Sequence, residues 1–120
     1  TIQKETKELS SKEKYNIILK LYKGLVDNLE ELYKSKNREA QSNATQIAYK
    51  IDKIASGLQV TLNFDNEESK KISENFRELY RHIRFAMKLV YEKQEYYLLD
   101  SSREIAKTLY KSWAQIKPSI

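Results

Sequence analysis

The 120-residue sequence predicts an all-α protein, an antiparallel up-down-up-down four-helix bundle, from three observations. Apolar residues recur at three- and four-residue steps over four long stretches, the period of a helix with one buried face. Glycine and proline are scarce, two and one residues respectively, which leaves little material for the turns that many short strands need. The breaks between stretches are only a few residues long, and such links set consecutive helices side by side and antiparallel. One domain over 1–120 suits this length, with helices expected at about 11–34, 38–62, 66–92 and 95–117 and residues 1–9 as a flexible N-terminal arm. A long hairpin that dimerises into a bundle is the alternative architecture.

The first stretch opens where Ser10 and Glu13 have the spacing of a capping box. Its face is Tyr15, Ile18, Leu19, Tyr22, Leu25, Val26, Leu29, Leu32 and Tyr33, and the polar Lys34–Asn37 run interrupts it. The second presents Ala40, Ala44, Ile47, Ala48, Ile51, Ile54, Ala55, Leu58 and Leu62, and its many alanines imply a close approach to neighbouring helices. After the Asn63–Asn66 break, Asp65 and Glu68 have the spacing to cap the third helix. That helix carries Ile72, Phe76, Leu79, Ile83, Ala86 and Val90. A short stretch at Glu92–Glu95 precedes the fourth, whose face is Leu99, Ser102, Ala106, Leu109, Trp113 and Ile116, and Pro118 closes it.

Composition removes much chemistry. Without cysteine there is no disulfide scaffold, zinc ribbon or thiol nucleophile. Two Glu-x-x-His elements would be needed for a di-iron bundle, but the one histidine is His82 and position 79 is leucine. The serines have no second histidine to form a triad with, and no glycine-rich phosphate loop is present. His82 reads as a helix-flank residue beside Glu78. The expectation is a protein that is not an enzyme and uses no catalytic residue, metal or cofactor. No apolar run approaches the ~20 residues of a membrane span, so membrane insertion is not expected.

Net charge is +5, shared almost evenly by the two halves of the chain. Arg77, Arg81, Arg84 and Lys88 form a basic stripe, expected roughly opposite the apolar face as a solvated surface, with Glu74 and Glu78 blunting it. Apolar residues outside the core stripes are more telling. Ile17 and Leu21 lie in line with Gly24; Tyr49 and Val60 point away from the core; Phe85 and Leu89 sit on one flank of the third helix, and Tyr80, Met87 and Tyr91 on the other. Tyr97 points outward, while Leu98 and Ile105 widen the last face. Single exposed apolar residues are ordinary, but several together suit grooves that take a partner's amphipathic helix. Ile17, Leu21, Gly24, Tyr49, Val60, Phe85, Leu89 and Tyr97 are the candidate partner-binding residues.

Leu21-Tyr22-Lys23-Gly24 resembles the Leu-Tyr-x-Gly element of the flagellin export chaperones, the FliS family. Val60-Thr61-Leu62-Asn63 is similar to that family's second-helix ending, Leu79-Tyr80 to its third-helix pair, and Trp113 with Ile116 to the end of its fourth helix. The correspondence runs from Ile17 to Ile116. It departs at Glu13-Lys14, where relatives tend to have Ser/Thr-Pro, and at Val90-Tyr91, where they tend to have Ala-Asn. The resemblance implies a cytoplasmic carrier that wraps the disordered C-terminal segment of flagellin around a four-helix bundle, and of the oligomeric states left open a monomer is favoured. Such a carrier prevents premature polymerisation and delivers its client to the flagellar type III export gate without ATP or metal. The competing readings are a basic nucleic-acid-associated module, from the stripe, and a self-assembling structural protein.

Overall fold

The computed structural model describes residues 11–36 and 41–115. Four helices account for nearly all of them: α1 (Ser11–Ser35), α2 (Gln41–Val60), α3 (Glu67–Lys93) and α4 (Leu99–Gln115), with no strand among the described residues. Helix α1 packs on α2 and α4, and α3 packs on the same two, so the helices close a ring within one chain. The expected four-helix bundle is thus formed without a partner, and the hairpin alternative is not needed. The expected arm at 1–9, the capping role of Ser10, the first turn of the second helix at 38–40, and Ile116 and Pro118 lie outside the described residues.

The core follows the period. Leu25, Leu29 and Leu32 of α1 meet Ala48, Ile51, Ala55 and Leu58 of α2, and all are fully buried. Helix α3 adds Tyr80, Ile83, Met87 and Val90; α4 adds Leu99 and Ala106. Each large aliphatic group so buried contributes about 1.5–3 kcal/mol. The small α2 residues let its neighbours approach closely, as the alanine-rich face predicts.

Helix α3 departs from the expected rotation. Tyr80 and Met87, placed on a flank by the sequence, are buried, whereas Ile72, placed on the core stripe, is 51% exposed. One cause is visible. Ser73, buried one position after Ile72, donates to the Asn63 carbonyl (2.5 Å) and accepts from the Asn63 N–H (3.1 Å), which ties the α2–α3 loop to this side of α3.

Helix termini correct three boundaries. Asn66, not Asp65, caps α3: its side chain accepts from the Ser69 N–H at 2.8 Å. Asn63 and Asp65 instead make a local turn, Asp65 N–H donating to Asn63 Oδ1 (2.8 Å). Helix α2 ends at Val60, two residues early, where the Thr61 hydroxyl donates to the Leu58 carbonyl. At the far end of α3, Gln94 takes the left-handed conformation (φ 57°), with Gln94 N–H to Val90 O (2.9 Å) and Glu95 N–H to Leu89 O (3.1 Å). This two-bond C-terminal cap delays α4 from the expected residue 95 to Leu99.

Two polar clamps sit outside the core. Arg103 of α4 grips Glu30 of α1 with two hydrogen bonds (3.0 and 3.1 Å) and lies 3.8 Å over the Tyr33 ring, while Lys107 adds a second ion pair to Glu30 (3.3 Å). Arg103, and Lys107 less strongly, hold the Glu30 carboxyl below the ordinary carboxylate range. Across the bundle, Arg84 of α3 bonds Asp52 (2.8 Å) and Gln59 (2.8 Å) of α2.

Candidate functional site

An apolar opening lies at the bundle end formed by the start of α1, the α2–α3 loop, the start of α3 and the end of α4. A pocket of about 220 Å3 is walled by Ile18, Leu62, Ile72, Phe76 and Trp113 and floored by Tyr22 and Tyr80. A neighbouring hollow of about 280 Å3, lined by Lys14, Ile17, Ile18 and Thr61, shares Ile18 and Thr61 with it. The two form one apolar trough running from the α3 start onto the α1–α2 seam.

Its aromatic lining is held in place. The Trp113 indole stacks on Tyr15 (centroids 5.7 Å apart) and meets Tyr22 edge-on (6.1 Å), and its Nε1–H donates to the Tyr15 carbonyl (3.1 Å). The Tyr15 hydroxyl donates in turn to the Ala114 carbonyl (3.3 Å), so α1 and α4 are tied by a reciprocal pair. Beneath them the Tyr22 and Tyr80 hydroxyls share one hydrogen bond of 2.5 Å. Burial pushes both phenols above their ordinary value, so the floor stays neutral into alkaline solution.

The chain's two glycines lie one on α1 and one on α2. A Cβ on Gly24 would stand 3.5 Å from Ile54 Cδ1, an ordinary contact, so Gly24 belongs to helix packing and does not offer the partner a close approach. A Cβ on Gly57 would meet nothing within 4 Å. In the antiparallel register set by Gly24 beside Ile54 and Ile18 beside Thr61, Gly57 falls level with the half-buried Leu21.

The eight residues singled out by helical angle do not gather into one patch. Ile17 lines the trough, while Leu21 and Gly24 follow it along α1 outside the trough lining, Gly24 beside Ile54. Tyr49 stacks on Tyr91 (4.2 Å) on the α2–α3 face, where Phe85 is 52% exposed. Leu89 is buried and contributes mainly packing. Val60, 83% exposed, ends α2, and Tyr97 stands in the turn before α4, not on that helix. The pocket residues Leu62, Ile72, Phe76 and Trp113 were assigned to the core by their period. Nothing in the apolar pattern marks them as pocket-lining.

The basic stripe is not a uniform outer face. Arg84 is tied to Asp52 and Gln59, Arg81 pairs with Glu78 (3.0 Å), and Arg77 lies over the Phe64 ring (5.2 Å). His82 shares a hydrogen bond with Ser101 (2.7 Å), which joins α3 to α4. Among the described residues there is no cluster of metal-ligating side chains, and no helix is long and apolar enough to cross a membrane.

Comparison with known families matches residues 2–120 to the family described as flagellar protein FliS. No curated protein and no solved structure gives a significant match. The chain belongs to the FliS family, whose members are chaperones of flagellum assembly and not catalysts.

Proposed function

We propose that this FliS-family chain is a cytoplasmic carrier of flagellin. It binds the disordered C-terminal segment of flagellin, keeps it from polymerising early and delivers it to the flagellar type III export apparatus. Membership over nearly the whole chain is the observation that carries this reading, since it supports a flagellar chaperone. The trough supports the mode: a disordered segment loses entropy when it orders, so its carrier must offer a large apolar contact. Ile17, Leu21, Ile72, Phe76 and Trp113 supply such a contact for one face of a forming helix.

The test is calorimetric titration of the full chain with the C-terminal peptide of flagellin from the same organism. Stoichiometric binding with a negative heat-capacity change is expected. Ile17→Asp and Ile72→Asp, both at exposed positions, should weaken binding at least tenfold while the unfolding transition is retained. Absence of heat at high peptide concentration would refute the client. Binding untouched by either substitution in folded protein would refute the trough.

A further inference from the structure

We infer that the α2–α3 face is a second docking surface, separate from the trough, for an acidic amphipathic helix of another protein. The chain's positive charge, even along the sequence, is uneven in space. Residues 77–93 of α3 carry five basic and two acidic residues, three of the chain's five net charges. Arg81, Arg84 and Lys88 line a polar cleft of about 580 Å3 between α3 and α2, together with Asp52, Gln59, Phe85, Tyr91 and Glu92.

Three features make this cleft a protein-docking site and not merely a solvated face. Arg84 is held by Asp52 and Gln59, so its guanidinium is fixed before any partner arrives. Arg81 and Lys88 flank it one turn away on either side; Lys88 has no acidic partner among the described residues, and Arg81 has only a solvent-exposed pair with Glu78. Phe85 stands half-exposed among these cations, and the Tyr49–Tyr91 stack lies beside them on the same face, giving apolar anchors between the charges. The cations recur at four, three and four residues from Arg77, so carboxylates at the same spacing on a partner helix lying along α3 would meet them turn by turn. A bulky apolar residue between those carboxylates would cover Phe85. Glu78 and Glu92 interrupt the row, which disfavours a polyphosphate backbone but not a helix that presents discrete carboxylates.

The probe is a synthetic, end-capped, fluorescein-labelled alanine-based helix with glutamates spaced four, three and four apart and leucines on the adjacent stripe. A control has the same composition in scrambled order. Anisotropy with the full chain should show saturable binding of the patterned helix, at least tenfold tighter than the control and weakened several-fold between 50 and 200 mM salt, about the range over which the Debye length halves. Arg81→Glu with Lys88→Glu should cost at least tenfold, and Phe85→Ala a smaller factor, with thermal unfolding unchanged. Equal binding of patterned and scrambled helices, or indifference to the charge reversal, would overturn the inference. Tighter binding of a single-stranded oligonucleotide of equal charge would also overturn it, in favour of nucleic acid. The flagellin-peptide titration run on the same charge-reversed protein should be unaltered, so failure of this surface is distinguishable from failure of the client assignment.

Discussion

Replacing Tyr22 by Phe removes one hydroxyl from the floor of the pocket and nothing else. The ring contacts to Trp113 and Tyr80 (6.1 and 6.5 Å) are retained, so the perturbation isolates the polar pair. Tyr80 is 1% exposed and its hydroxyl bonds Tyr22, so the change leaves a buried hydroxyl without that partner. Such a loss costs about 1–3 kcal/mol, with the lower end applying where a water can enter from the pocket. Tyr80→Phe strands Tyr22 in the same way. The double variant leaves no hydroxyl to satisfy, and its cost should be close to that of one single variant or less. Urea unfolding at neutral pH, followed by far-ultraviolet circular dichroism, measures all three. With a slope of ~1–3 kcal/mol per molar urea, a 2 kcal/mol loss moves the midpoint by roughly 1 M. Strict additivity of the two single costs would refute the reasoning, because it would mean that the hydroxyls do not depend on each other. The pair also has an alkaline signature. The unfolded phenols ionise near pH ~10 while the folded pair holds its protons, so stability should fall as pH rises past ~10, less steeply in the double Phe variant.

Gly57→Ala should raise stability by about 0.5–1 kcal/mol, since a methyl there meets open space and the helix loses its most flexible residue; no change in thermal midpoint would show that the gap is already filled. Gln94→Gly should stabilise by ~1 kcal/mol in the same assay, because the residue holds a left-handed backbone that favours glycine, and a loss would mean that its side chain is needed. Glu30→Gln should cost about 1 kcal/mol at neutral pH, the scale of a partly exposed ion pair. Because the folded carboxyl titrates below the unfolded one (near ~4.3), that contribution is present above the unfolded value and lost as pH falls through the folded one. The gap in thermal midpoint between wild type and variant should therefore close in acid, and persistence at pH ~3 would rule out this clamp.

The bundle was legible because its signal is periodic. Leu25, Leu29, Leu32, Ile51, Leu58 and Ile83 all lie where a 3.6-residue repeat places them, and tertiary contacts only confirm that choice. What was not legible depends on interactions one residue wide. Asp65 and Asn66 both stand three residues before a plausible capping partner, and only the extended backbone of Asn66 decides between them. The rotation of α3 is set in part by Ser73, a residue with no weight in an apolar pattern, through its two bonds to Asn63. The candidate site was half visible. Ile17 and Leu21 stood out because their angles conflict with the core stripe, whereas Ile72 and Phe76 obey the stripe and nevertheless line the pocket at the bundle end. The charges behaved likewise: a count by halves cannot show that three of the five sit on one stretch of α3, nor that Arg84 is held by Asp52 from 32 residues away.

Trp113 is the chain's only tryptophan, and two tyrosine rings stand within 5.7 and 6.1 Å of it at the mouth of the pocket. Light absorbed by Tyr15 or Tyr22 will pass to that indole by resonance transfer, so the emission of the whole protein converges on one wall of the trough. The molecule thus carries its own optical gauge of that cavity. A side chain seated against the indole will shift its emission colour, and parting of α1 from α4 will restore tyrosine emission, so filling and opening can be told apart without any attached label.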